Sequence, residues 1–394
     1  MGLSGNEKCN VLIISASYGA GHYQVSNALA LMIRQQRPAW NVEICDFLNC
    51  TNPYLKNALL FSYKQVIKHF AKGYKWYYQA TSQLNPNSKL RQILNRVGSE
   101  KLLETIYNLN PDVIVCTFPN PAGMVSYLKS CGYIDIPLVT VITDVAFHNQ
   151  WLHPFVDAYI LAADVVARHL RRKGVPASKL HVTGIPLRPE FSVTCHNPSI
   201  WEDYDISPDL FTLMIMGGGC GLLTGIESIF NELLHQDLPM QILAVTGTNY
   251  TLARKLETIS RSSKIPLRVL GFVDDIAQLM EISDLLLTKA GGVTVFEALA
   301  KKLPMLIYKP LPGHERNNVR YLLKHKAAIQ ARSKEQVIDT IVRCVNDPSI
   351  LNGMRKSMDS IARPFAARDA ANIIIQMAED YRKSRNQAKI YTVS

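Results

Sequence analysis

Residues 285–298 read Leu-Leu-Leu-Thr-Lys-Ala-Gly-Gly-Val-Thr-Val-Phe-Glu-Ala. A short apolar run, a glycine pair and a helical pattern in that order spell strand, tight turn, helix. Gly291 and Gly292 make the turn, and Val293 and Thr294 open the helix. Glu297, in the first turn or so, is a carboxylate suited to accept ribose hydroxyls. The same grammar recurs upstream. Phe211–Met216 runs into Gly217-Gly218-Gly219-Cys220-Gly221, and Val11–Ser15 runs into Ser17-Tyr18-Gly19-Ala20-Gly21-His22 and a helix. Neither is a G-x-G-x-x-G dinucleotide fingerprint, and an ordinary tight turn is the competing reading of each. Downstream, the strand Met305–Tyr308 leads into Lys309-Pro310-Leu311-Pro312-Gly313-His314-Glu315-Arg316-Asn317-Asn318, an acid and amide cluster suited to hexose hydroxyls.

Between these turns the chain alternates short apolar runs with helical patterns. Val42–Asp46, Val113–Cys116, Leu138–Thr143 and Ala158–Ala162 read as further strands of the first half. Ile242–Val245 and Leu267–Leu270 read as strands of the second. Helices are expected over Tyr23–Gln36, Glu100–Leu109, Asp164–Lys173, Leu223–His235, Tyr250–Ser260, Val293–Ala300, Glu315–Lys324, Lys334–Asn346 and about Ala366–Lys383. That repetition predicts two α/β, doubly wound, Rossmann-like domains facing a cleft. With 394 residues, two domains of roughly 150–200 residues are the natural division. Pro186, Pro189 and Pro198 interrupt 185–201, which reads as the linker. The expected boundaries are 1–195, 196–365 and a closing helix in 366–394.

The formal charge is +11, from 43 Lys and Arg against 32 Asp and Glu. Nucleic acid, anionic lipid and anionic small molecules all fit that total, and its placement discriminates among them. From Phe47 to Ser99 there is no acid. Lys64, Lys68, Lys72 and Lys75 recur at helical spacing, interleaved with Phe61, Phe70, Tyr74, Trp76 and Tyr77. This pattern suits a helix lying on an anionic membrane surface, with aromatic rings at headgroup depth. A basic helix packed by its aromatic side on its own domain is the plainer alternative. Nucleic acid is disfavoured, because no helix-turn-helix, RNP-like or zinc-finger pattern occurs. No apolar run approaches the ~18 residues that span a bilayer, and the start lacks the apolar core of a secretory signal. The eight cysteines are scattered without a C-x-x-C pair, and read as reduced thiols of a cytosolic protein.

Two further stretches carry chemistry. His22 ends the first glycine turn, where a histidine can take a proton from an acceptor hydroxyl; a structural role at a strand-to-helix junction is the alternative. Asp144 follows the strand at 138–143 and is the second candidate, or else a turn cap. His148, Trp151 and His153 follow it. The spacing of Asp144, His148 and His153 matches no standard zinc pattern, so no metal is expected.

Taken together, these motifs resemble the diacylglycerol glycosyltransferases, which include processive diacylglycerol β-glucosyltransferases and monogalactosyldiacylglycerol synthases. The resemblance runs in order along nearly the whole chain: Ser-Ala-Ser-Tyr-Gly-Ala-Gly-His at 15–22, the acid-free basic segment, Thr143-Asp144 with His148, Trp151 and His153, Thr183-Gly184-Ile185-Pro186-Leu187-Arg188, the Gly217 loop, Ala290–Thr294 with Glu297, and Pro312–Glu315. It implies a GT-B fold whose C-terminal helix packs back on the N-terminal domain. It also implies a UDP-sugar held by the C-terminal domain and a lipid acceptor held by the N-terminal domain, with Gly21, His148 and Trp151 at the acceptor. Gly217, Gly218 and Gly219 would lie near the diphosphate, as would Gly291, Gly292, Val293 and Thr294. Backbone groups of Phe272 and Val273 would hold the uracil edge, and Glu297 the ribose diol. Glu315, with His314, Asn317 and Asn318, would read the sugar. Family members usually carry glutamine where this chain has His314, a departure that touches donor choice. The reaction so implied inverts an α-linked UDP-hexose, glucose before galactose, onto diacylglycerol. It needs no cofactor, and places the protein peripherally on the inner face of the cell membrane. Another lipid or polyprenyl acceptor, or a UDP-sugar-sensing regulatory protein, are the alternative readings.

Overall fold

Valine, leucine and isoleucine dominate the runs read as strands, so both faces of each must be covered, which is the condition for parallel pairing. The computed structural model describes residues 8–16, 20–49, 95–146, 148–194, 197–219, 221, 225–234, 236–261 and 263–393. The basic aromatic stretch with Lys64, Lys68, Lys72, Lys75 and Trp76 lies outside the described residues, as do Ser17, Tyr18 and Gly19. Two compact units result. One takes in the chain up to Pro189 together with residues from Phe365 onward, and the other is Glu190–Pro364.

The first unit's described strands are β1 (Asn10–Ser15), β2 (Asn41–Asp46), β3 (Val113–Cys116), β4 (Leu138–Ile142), β5 (Ala158–Leu161) and β6 (Leu180–Val182), ordered β2-β1-β3-β4-β5-β6. All pairings are parallel, with Val11 opposite both Val42 and Val113. The chain steps outward from β1 to β2 and then returns to β1's other side for β3. The switch point therefore lies between β1 and β3, where doubly wound sheets open a crevice at their carboxyl ends. Helices α1 (Ala20–Gln36), α2 (Ser99–Leu109), α3 (Pro119–Ser130) and α4 (Asp164–Arg172) accompany the sheet. Helix α3 was not expected, because Pro119 and Pro121 disguise it. Both sit in the first turn, where a missing N–H costs no helical bond.

The second unit contains α5 (Ile200–Asp203), β7 (Phe211–Met216), α6 (Ile226–Leu233), β8 (Met240–Val245), α7 (Tyr250–Ser260), β9 (Leu267–Leu270), α8 (Ile276–Glu281), β10 (Leu285–Thr288), α9 (Gly292–Ala300), β11 (Met305–Tyr308), α10 (His314–Lys324), β12 (Ala328–Ala331), α11 (Lys334–Asn346) and α12 (Pro348–Met358). Its parallel order is β12-β11-β10-β7-β8-β9, so the switch point falls between β7 and β10. Leu213, Ile229, Phe230, Ile242, Leu285 and Val337 belong to one buried cluster in this unit.

Helix α13 (Ala366–Val393) returns to the first unit, against α1 and β3. Ala370, Ile374 and Ala378 repeat at i, i+4, i+8 and are buried. Its polar side pairs with buried Asp112 through Arg382 at 2.8 Å, and Tyr381 donates to Asp135 Oδ1 at 2.6 Å. Among the described residues no helix is long and apolar enough to cross a membrane. Cys9, Cys116, Cys131 and Cys344 are free thiols, as expected. Cys45 corrects the expectation: it is disulfide-bonded, and its partner lies outside the described residues. It stands half-buried on the edge strand β2, where a second thiol can reach it.

Candidate active site

The second unit's switch point is flanked by the two glycine turns. After β7, Gly218 takes φ 75° and the amide of Gly221 closes a turn onto the Gly218 carbonyl at 2.8 Å. The loop after β8 holds this turn from the side. Thr248 donates its amide to the Gly219 carbonyl at 3.2 Å, and a Cβ on Gly247 would stand 2.3 Å from that oxygen. Only glycine permits that approach. After β10, Gly291 caps α9 with no side-chain hydrogen bond, and the first intrahelical bond is Val295 N–H to the Gly291 carbonyl. The amides of Gly292, Val293 and Thr294 thus have no partner within the helix, and with the helix dipole they make an anion-binding terminus.

A cation stands between these turns. Lys289, directly after β10, has its Cε 3.9 Å from the place a Gly218 Cβ would occupy. Its Nζ is 2.5 Å from Glu315 Oε1, with the side chains 14% and 1% exposed. The other carboxylate oxygen of Glu315 accepts the Leu311 amide at 2.6 Å. Asn318, also buried, donates to the Ala290 carbonyl at 3.0 Å. That bond holds Ala290 at φ 73°, a left-handed backbone that non-glycine residues rarely take and that gathers at functional sites. These contacts amend the expectation for two sugar readers. Glu315 and Asn318 are buried and engaged in ordering the β10 turn and positioning Lys289, because α10 packs them inward. His314 and Asn317, on the same turns of α10, stay partly exposed. Lys289 was not singled out in the sequence, although its position between a strand and a glycine pair was signal enough.

Glu297 is half-buried at the sixth residue of α9, in the second turn rather than the first. Phe272 and Val273 follow β9 at the same sheet edge; Phe272 is 59% exposed. Their neighbour Gly271 would place a Cβ 3.9 Å from the Gly247 carbonyl, so the loops after β7, β8 and β9 follow one another along the carboxyl edge.

In the first unit, the third residue of α1 is His22, at the switch point between β1 and β3. Its Nδ1 lies 2.7 Å from the Thr117 carbonyl, just past β3, and 3.3 Å from Thr143 Oγ1, just past β4. A carbonyl only accepts, so Nδ1 carries the proton of the neutral ring and Nε2 is the basic nitrogen. Hydroxyls of Ser15, Thr117 and Ser26 form a buried chain beneath the ring, and Phe118 packs edge-on at 5.1 Å. Asp144 is half-buried and follows the threonine that touches His22. Gly21 precedes His22 in α1. Cys116 is excluded from chemistry, since burial pushes its thiol up.

His148 and Trp151 are buried in a single 3-10 turn, Asn149–Trp151. His148 Nδ1 accepts the Gln150 amide at 3.1 Å, while His153 Nε2 donates to the Pro119 carbonyl at 3.2 Å. A Cβ on Gly123 would meet His153 Cε1 at 2.6 Å, so α3 packs directly on this turn. Among the described residues no cluster of three or more His, Cys, Asp or Glu is placed to hold a metal ion.

Known proteins resemble this chain in sequence and in fold. The family model described as monogalactosyldiacylglycerol (MGDG) synthase matches residues 22–187, and that of the glycosyltransferase family 28 C-terminal domain matches 212–374. A Bacillus pumilus protein named processive diacylglycerol beta-glucosyltransferase is 30% identical over 387 residues, covering 98% of this chain and 99% of its own. Among solved structures, Acinetobacter baumannii MurG superposes with a TM-score of 0.62 at 16% identity, over 94% of this chain and 100% of that one. UDP-GlcNAc 2-epimerase from Neisseria meningitidis, bound to UDP-GlcNAc, gives 0.61 at 14% identity, over 94% and 100%. The fold is GT-B, the chain is a glycosyltransferase, and by identity along nearly its whole length it belongs to the diacylglycerol glycosyltransferase family.

Proposed function

We propose that this protein transfers a hexose, glucose before galactose, from a UDP-sugar to the hydroxyl of diacylglycerol, with inversion, and can act again on its product. The name of the Bacillus pumilus relative, processive diacylglycerol beta-glucosyltransferase, supports the sugar, the lipid and the β outcome. In the proposed step the lipid oxygen attacks the anomeric carbon of the α-linked donor, and the carbon–oxygen bond to the diphosphate breaks. UDP leaves with the bonding electrons, and the acceptor proton passes to Nε2 of His22. The fixed tautomer supports this role, and Asp144, one residue past the Thr143 that touches the ring, is the second candidate for activating the acceptor. Gly21, His148 and Trp151 shape the acceptor side.

The diphosphate would rest on the amides of Gly217, Gly218 and Gly219, on the α9 terminus from Gly291 to Thr294, and against Lys289. This positive set meets the developing charge, so a metal ion is not required. Glu297 would take the ribose diol, Phe272 and Val273 the uracil edge, and His314 and Asn317 the hexose. The observation that most supports the reading is that His22 stands at one sheet's switch point, and that the glycine turns with Lys289 stand at the other's. The protein would act peripherally on the inner face of the membrane, from the cytoplasm, without nucleic acid.

The deciding experiment incubates the full chain with diacylglycerol and each UDP-hexose, following UDP release and identifying products by mass spectrometry. β-Glucosyl diacylglycerol is the expected product. Tight UDP binding without UDP release would instead mark a UDP-sugar-sensing protein, and transfer to a polyprenyl lipid alone would overturn the acceptor.

A further inference from the structure

Helix α10 turns Glu315, Asn318 and Leu322 inward, and its other side faces a groove that the donor reading leaves unused. The groove, of about 530 Å³, lies between α10, the loop after β11 and the edge strand β12. Lys309, Arg316, Arg320 and Arg332 line it together with Val319 and Leu323, and no carboxylate does. Several cations elsewhere in this unit are paired, among them Arg268 with Asp205, Lys301 with Glu281, Lys302 with Asp359 and Arg355 with Asp284. None of the four groove cations makes an ion pair among the described residues; Arg320 bonds only the Asn317 amide oxygen, and Lys309 lies over the Tyr308 ring. Four like charges gathered around one hollow repel each other until a counter-charge enters. The apolar part of the lining is Pro310, Val319 and Leu323, of which Leu323 is 39% exposed.

We propose that this groove is a second anion site, distinct from the donor site, which takes the phosphate headgroup of an anionic phospholipid with its glycerol edge against Leu323 and Pro310. Guanidinium forks match phosphate oxygens in pairs, and aliphatic neighbours match the lipid's backbone better than they match a free ion. Only the choice of a lipid source leans on the lipid-acceptor reading; the anion site stands on the groove.

The test uses the full chain and vesicles of phosphatidylcholine with and without phosphatidylglycerol. Arg320→Gln combined with Arg332→Gln should weaken partitioning onto the anionic vesicles roughly thirtyfold, from about fivefold per basic residue. A control pair with the same charge change on other exposed positions, Lys264→Gln with Lys356→Gln, should lose no more than about threefold. UDP affinity by calorimetry should match the parent in both. Equal losses in the two pairs, or a groove pair that loses neither vesicle binding nor inorganic phosphate uptake, would overturn the site. Inorganic phosphate taken up by the parent and lost in the groove pair, with vesicle binding unchanged, would overturn the lipid source. Because vesicle binding and sugar transfer are read separately, a chain that transfers no sugar still leaves this test decisive.

Discussion

Removing the carboxylate of Glu315 should damage this protein in a way that a second substitution repairs only in part. Glu315→Ala deletes the 2.5 Å partner of Lys289 and the 2.6 Å acceptor of the Leu311 amide. Leu311 is exposed, so water replaces its partner at little cost. Lys289 is only 14% exposed and loses its ion-pair partner. Breaking one side of a buried pair costs about 3–5 kcal/mol. For a unit spanning residues 190–364, that lowers its melting temperature by roughly 6–20 °C. Guanidinium unfolding of the full chain reads the loss. The double variant Lys289→Met with Glu315→Leu replaces the pair by apolar groups and should recover most of the stability. Donor affinity should not recover with it, because the cation beside the glycine turns is gone; a charged hydrogen bond of ~1.5–3 kcal/mol corresponds to about 10–150-fold weaker UDP binding by calorimetry. A double variant as unstable as Glu315→Ala, or one that binds UDP like the parent, would refute the reasoning.

Three further outcomes are expected. His22→Ala should lower kcat by about 10²–10⁴-fold and Asp144→Asn should lower it markedly, with UDP affinity kept; near-normal turnover in both would remove them from the chemistry. Glu297→Gln should raise the UDP dissociation constant by roughly tenfold or more while leaving the unfolding midpoint unchanged, since the residue is half-buried near a helix start. Gly247→Ala forces a side chain into φ 55° and 2.3 Å from the Gly219 carbonyl, so it should cost about 2–4 kcal/mol and weaken UDP binding as the loop shifts.

The sheets were legible because their buried strands are unbroken apolar runs: Val113–Cys116 and Leu285–Thr288 are found where the run is. Of the edge strands, β6 and β12 were not, since Leu-His-Val and Ala-Ile-Gln-Ala carry no such run. The glycine turns were legible because glycine is what a close approach demands. What each polar side chain does there was not. Asn318 and Glu315 look as ready for a sugar as Asn317 does; only the helical phase on α10 sends them inward to Ala290 and Lys289. The tautomer of His22 likewise depends on a carbonyl 95 residues away, which no local pattern reveals.

The return of α13 to the first unit has a consequence for biosynthesis. Residues 190–364 must leave the ribosome before the helix that buries Ala370, Ile374 and Ala378 exists, so at about 5–20 residues per second the first unit waits roughly 10–35 s with that face bare. Released chains that stop after residue 364 should therefore be cut by protease in the first unit and protected in the second.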